Sequence, residues 1–185
     1  MRESTPLWSF RKGVSPSALS ISLDGKFAGV GHKNGLLLLN NTGGLTWATK
    51  KIRRVRDISI STRTGRMSIA SGQKVVYLID RKGAVIWHRE LQSSAVSTSI
   101  SSNGNVIVVG TNLGRLVVFN GKGKMLWETH LSNSDFPVNS VDISSDGKFI
   151  VAGTDYSHIY LHDIKGNILW AKETTGEVLQ TCINS

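Results

Sequence analysis

An all-β fold of tandem four-stranded antiparallel sheets is what this sequence predicts, and three observations predict it. Tryptophans recur at Trp8, Trp47, Trp87, Trp127 and Trp170, at intervals of 39, 40, 40 and 43 residues, a period of the length that repeat architectures use. A glycine stands four residues before each of the last four, at Gly43, Gly83, Gly123 and Gly166, with Ser4 in that place before Trp8. Between the tryptophans, short runs rich in Val, Ile, Leu, Phe and Tyr alternate with turn residues, and no helical period competes.

Each unit reads the same way in order. A first strand carries Ser20-Ile21-Ser22, Ser59-Ile60-Ser61, Ser99-Ile100-Ser101 or Asp142-Ile143-Ser144. Asp24-Gly25, Asn103-Gly104 and Asp146-Gly147 then make a tight turn, because Asn and Asp tolerate positive φ and glycine supplies it freely; Thr64-Gly65 replaces them in the second unit, which implies a different turn. Second strands follow at Lys26 to Val30, Arg66 to Ala70, Asn105 to Val109 and Lys148 to Ala152, and third strands at Leu36 to Leu39, Val75 to Ile79, Leu116 to Phe119 and Ile159 to Leu161. The fourth strand holds the tryptophan. Apolar residues fall on both faces of the fourth unit's strands, as in sheets packed between other sheets. A four-stranded unit of about 40 residues in tandem is a β-propeller blade. With strands lettered A (inner) to D (outer), residues 1–13 read as the outer strand of a preceding blade, with the strand itself at Leu7 to Phe10. Blades then occupy 14–50, 51–90, 91–130 and 131–174, and 175–185 form the inner strand of a further blade at Val178 to Asn184. That strand count does not close a ring. It favours a piece of a six- to eight-bladed propeller over a half-ring completed by self-association through unpaired blade edges, or an irregular four-bladed ring.

The segment Ser140 to Trp170, SVDISSDGKFIVAGTDYSHIYLHDIKGNILW, resembles a blade of the WD-repeat-like and quinoprotein-like propellers, including the pyrroloquinoline quinone-like repeat proteins, and the likeness covers nearly the whole chain. It is specific for fold and weak for function, since propellers host unrelated activities. The resemblance implies that Trp47, Trp87, Trp127 and Trp170 lie flat between blades as structural spacers; a stacking platform for a base or quinone is the alternative. Two departures matter. No Trp-Asp dipeptide occurs, the third strands ending instead in Leu39-Asn40, Ile79-Asp80, Phe119-Asn120 and His162-Asp163. Asp80 to Trp87 and Asp163 to Trp170 are one residue shorter between aspartate and glycine than the tryptophan-docking phrase of quinoprotein dehydrogenases, and lack its threonine. Those enzymes also need a disulfide ring under the cofactor and a calcium carboxylate set, which a chain with Cys182 alone does not supply. No cofactor is expected.

Composition narrows the classes further. The chain has 185 residues, 39% hydrophobic and 19% charged, which suits one globular domain. Its longest purely apolar runs are four residues, far below the roughly 20 that span a bilayer, so no membrane span is expected. Residues 1–30 carry no charged-then-apolar leader, and a cytoplasmic location is expected. Charge is the uneven feature. The net charge is +9. Between Ala48 and Val75, Lys50, Lys51, Arg53, Arg54, Arg56, Arg63, Arg66 and Lys74 face Asp57 alone, whereas the connectors after the other tryptophans are mixed or acidic. The repeat therefore does not demand this basicity. Lys50, Lys51, Arg53, Arg54 and Arg56 are the partner-binding candidates, on the D-to-A connector; Arg63 and Arg66 fall on an A-to-B turn at the opposite face.

Catalytic and metal chemistry find little support. His158 and His162, four apart on one strand, are about 13 Å apart, too far to share a metal, and the five histidines read as single surface residues. Asp24, Asp146, Asp155 and Asp163 lack a calcium-loop spacing. No Gly-x-Ser-x-Gly elbow occurs, and Cys182 reads as a small buried residue. The leading expectation is a non-catalytic scaffold that binds a protein partner, possibly acidic, through face loops. Nucleic-acid or other polyanion binding through the basic connector is the alternative, and part of a quinone-dependent dehydrogenase-like propeller is the third reading.

Overall fold

The computed structural model describes residues 8–9, 13–131 and 135–184. Sixteen strands form four antiparallel sheets, each a simple up-and-down meander. Blade 1 contains β1 (Pro16–Ile21), β2 (Phe27–His32), β3 (Gly35–Asn40) and β4 (Leu45–Thr49). Blade 2 contains β5 (Val55–Ile60), β6 (Met67–Ser71), β7 (Val75–Ile79) and β8 (Val85–Glu90). Blade 3 contains β9 (Ala95–Ile100), β10 (Val106–Thr111), β11 (Arg115–Asn120) and β12 (Met125–His130), and blade 4 contains β13 (Ser140–Ile143), β14 (Phe149–Gly153), β15 (His158–Asp163) and β16 (Ile168–Glu173). The inner strands β1, β5, β9 and β13 contact one another in that order. The molecule is all-β, with the blades of a propeller.

The turns explain the repeated polar residues. In blades 1, 3 and 4 the serine ending the inner strand donates to the turn Asp or Asn, as in Ser144 Oγ to Asp146 Oδ1 at 2.7 Å, and accepts from the backbone N–H that opens the next strand, as from Phe149 at 3.0 Å. That hydrogen bond pushes the Asp146 carboxyl down to about 2. Blade 2 does differ: the Gly65 N–H reaches back four residues to Ser61, where Gly25, Gly104 and Gly147 reach back three. The third strand ends in Asn or Asp because its Oδ1 accepts two turn amides, those of Lys82 and Ala84 at Asp80 and those of Lys165 and Asn167 at Asp163.

Packing between blades rests on complementary volumes. A Cβ on Gly31, Gly110 or Gly153 would fall 2.2, 2.8 or 2.4 Å from Val55, Val138 or Val178 of the following inner segment. In blade 2 the corresponding pair is Ala70 and Ala95, both fully buried in one cluster. β3, β6 and β10 are buried on both faces or nearly so, while the outer β16 is exposed throughout.

The two ends depart from expectation. Of the outer strand placed at Leu7 to Phe10, only Trp8 and Ser9 lie within the described residues. Val178 to Asn184 belongs to no sheet, because no second strand of its own blade lies beside it among the described residues. It still packs as an inner strand does: Val178 fills Gly153, Thr181 N–H donates to Ser140 Oγ at 2.9 Å, and Ile183 N–H donates to Asp142 Oδ2 at 2.9 Å. Its outward side is open, so Cys182 is exposed rather than buried.

Candidate functional site

Hydrogen bonds tie every B-to-C turn to a D-to-A connector, which gathers these loops on one face. Arg54 N–H donates to Lys33 O, Gly72 N–H to Arg54 O, Leu91 N–H to Lys74 O, Asp155 N–H to Pro137 O and Thr174 N–H to Ser157 O. The opposite face carries the A-to-B turns, linked through Arg63 N–H to Ser102 O, and the C-to-D turns. Arg63 and Arg66 lie there, beside Arg81, whose guanidinium sits 3.9 Å over the Phe27 ring.

The connector Lys50 to Arg54 is a rigid mount for mobile charges. Ile52 and Val55 are buried in the core shared with Leu36 and Leu38. Backbone groups are used as well: Ser71 Oγ donates to Arg53 O at 2.8 Å, and Arg54 takes a positive φ of 49° to bond on both sides. The Lys50, Lys51, Arg53 and Arg54 side chains are left exposed. Lys33 and Lys74, from the B-to-C turns of blades 1 and 2, join this face. Arg56 is not in the connector. It stands inside β5, bordering both a concavity of about 430 Å³ with Lys33 and Arg54 and the concavity of about 440 Å³ lined by the inner strands. Among the described residues, none of these cations forms a salt bridge.

The same face reverses sign over blade 4. Asp135, Asp155, Glu173 and Glu177 fall on its loops. Glu177 shares a hydrogen bond with Asp155 and feels its charge, which holds the Glu177 carboxyl above the ordinary glutamate range.

The indoles dock on the turn of the next blade. A Cβ on Gly43, Gly83, Gly123 or Gly166 would fall 2.8, 3.1, 2.8 or 3.2 Å from the ring of Trp8, Trp47, Trp87 or Trp127, and all four glycines have positive φ. Trp47, Trp87 and Trp127 also donate their indole N–H to Arg81 O, Gly121 O and Ile164 O. Trp170 has no such turn beside it among the described residues and is 41% exposed.

Not all histidines are on the surface. His162 is fully buried in β15, its ring 5.8 Å from Trp127, and both ring nitrogens lack hydrogen-bond partners. Burial lowers its pKa, opposed by the Asp163 charge. His162 belongs to a row of rings, Phe136, Tyr156, His158, Tyr160, His162 and Trp127, each 4.7 to 6.2 Å from the next. Alternation along β15 puts its four members on one face of the strand. At the inner strands, Asp57 is half-buried, and its carboxyl is pushed up to about 6 by desolvation despite accepting from Thr98 and Ile58 N–H.

The repeat has a family counterpart. The profile of the family described as outer membrane protein assembly factor BamB, a family of pyrroloquinoline quinone-like repeats, matches residues 4–141 and again residues 72–185. The chain belongs to that family. No curated protein matches it. The quinone that such repeats hold in dehydrogenases does not fit the residues present: among the described residues no three His, Cys, Asp or Glu gather to hold a calcium ion, and the cysteine stands alone. No helix among the described residues is long and apolar enough to cross a membrane.

Proposed function

We propose that this BamB-family propeller is a non-catalytic binding scaffold, and that the loops of blades 1 and 2 receive an acidic surface of a protein partner. The observation that supports it is the set of unpaired cations, Lys50, Lys51, Arg53 and Arg54 with Lys33 and Lys74, mounted on a backbone held by buried Ile52 and Val55. A merely architectural loop would repeat, and the loops of blade 4 are acidic instead. The family's description as an assembly factor supports a protein partner over a small substrate. Nucleic acid is the weaker reading, because Trp47, the nearest indole, is held against Gly83 and Arg81 and offers no platform for a base.

The test changes Lys50, Lys51, Arg53 and Arg54 to serine together. Proteins recovered by affinity capture at low salt should be lost from the variant, and wild-type capture should weaken with added salt as screening shortens the reach of charge. Equal recovery by both proteins overturns the reading. Random-sequence duplex DNA serves as the second probe, and binding to it as tight as to any captured protein would favour the polyanion reading.

A further inference from the structure

The seam between blades 2 and 3 departs from the repeat. There a cleft of about 290 Å³ opens between β8 and β11–β12, lined by Arg89, Glu90, Arg115 and Glu128, with Val117, Phe119 and Met125 as its apolar wall. At the seam of blades 1 and 2 the equivalent positions hold Thr49, Lys50, Val75 and His88; at the seam of blades 3 and 4 they hold Thr129, His130, His158 and Ala171. Neither set contains a guanidinium or a carboxylate. Four charges that architecture does not require thus converge on one opening.

Their hydrogen bonds leave the right groups free. Arg89 is fixed by Nε donating to Gly123 O and Nη1 donating to His88 O, both at 2.7 Å, so Nη2 remains to donate. Arg115 Nη1 donates to Glu128 Oε1 at 2.9 Å, which orients both side chains and leaves the other Glu128 oxygen and the second Arg115 nitrogen. Glu90 has no ion pair or hydrogen bond among the described residues. Ser93, at the edge of the lining, has a buried hydroxyl without a partner.

We infer that this cleft binds a free α-amino acid with an apolar side chain. Two guanidinium groups match the planar carboxylate, which bidentate donors recognise well. Glu90 and Glu128 match the ammonium, and the wall of Val117, Phe119 and Met125 takes the side chain. The charges balance, so a zwitterion fits better than a net anion or cation. The volume, at the lower limit for ligand pockets, suits one amino acid and excludes a dinucleotide or a quinone. The inference does not depend on the partner face, whose cations lie on blades 1 and 2.

Calorimetry and NMR titration of the whole chain with L-leucine, L-methionine and L-phenylalanine test it. At least one should bind with a Kd of about 1 mM or tighter. N-acetyl-L-leucine, lacking the ammonium, and L-leucinamide, lacking the carboxylate, should each bind about tenfold or more weakly. Glu90→Gln, at an exposed position whose side chain makes no contact in the fold, should weaken leucine while leaving N-acetyl-leucine unchanged; Arg89→Lys should weaken both. The inference is overturned if no L-amino acid binds, if the capped analogues bind as tightly as leucine, or if Glu90→Gln binds leucine like the wild type. The serine variant of the basic connector should bind leucine normally, which separates failure of this site from failure of the partner face.

Discussion

Trp87 and Trp127 occupy the same position in consecutive blades and meet different partners. Trp87 packs against Phe119, ring centroids 5.7 Å apart, in a seam whose neighbours are apolar. Trp127 packs against His162 at 5.8 Å, and that imidazole is as deeply buried as Phe119 while neither nitrogen is satisfied. Leu39, Ile79, Phe119 and His162 all stand just before the Asn or Asp that closes the C-to-D turn. The repeat assigns burial by position, and a polar side chain placed there is buried too. Blade 4 therefore carries a destabilising group that blade 3 does not.

Removing an indole should have the largest effect. Trp87→Ala should cost about 3–5 kcal/mol, the usual range for a large aromatic in a core, and Trp170→Ala no more than about 0.5 kcal/mol, as for exposed sites, with urea unfolding as the measure. Equal losses would show that the seam does not set an indole's worth. Exchanging the partners is the next step down. His162→Phe should stabilise by about 1–3 kcal/mol, the cost of an orphaned buried polar group, and Phe119→His should destabilise by a similar amount.

Acid titration gives the smallest and most specific signal. An unfolded His162 takes up a proton near its ordinary value of 6.5 while the buried ring resists, so stability present above that value is lost as pH falls through it. Melting curves of His162→Phe should lack this loss. Asp57 works in the other direction: its carboxyl keeps a proton up to about 6 when folded and only to 3.8 when unfolded. The folded form then gains stability as pH falls from about 6 to 3.8, and Asp57→Asn should remove that gain.

The blades were legible because each strand is local and each turn has its own chemistry: Ser-x-Asp-Gly and the Gly-to-Trp spacing can be read within a single unit. The site was legible only in part. Lys50 to Arg54 stand out as a run, but Lys33 and Lys74 lie far off in sequence and reach the same face only through Arg54 to Lys33 and Leu91 to Lys74 hydrogen bonds. Arg56 reads as part of that run, yet Val55 begins a strand and turns Arg56 toward the inner concavity. The burial of His162 had a signal in its alignment with Leu39, Ile79 and Phe119. Cys182 could not be placed, since its exposure depends on what covers the segment. The charged set between blades 2 and 3 is scattered from Arg89 to Glu128 and assembles only when two sheets meet.

Inner strands present a free row of amides, the feature that invites a foreign chain to add itself to a sheet. Here the row is claimed sideways. Thr98 and Ile100 N–H donate to Asp57 and Ser59, and Thr181 and Ile183 N–H donate to Ser140 and Asp142. Each blade thus sheathes the exposed rim of its successor with side chains alone, and the hydroxyl-rich hub keeps stray strands from templating on the axis of the molecule.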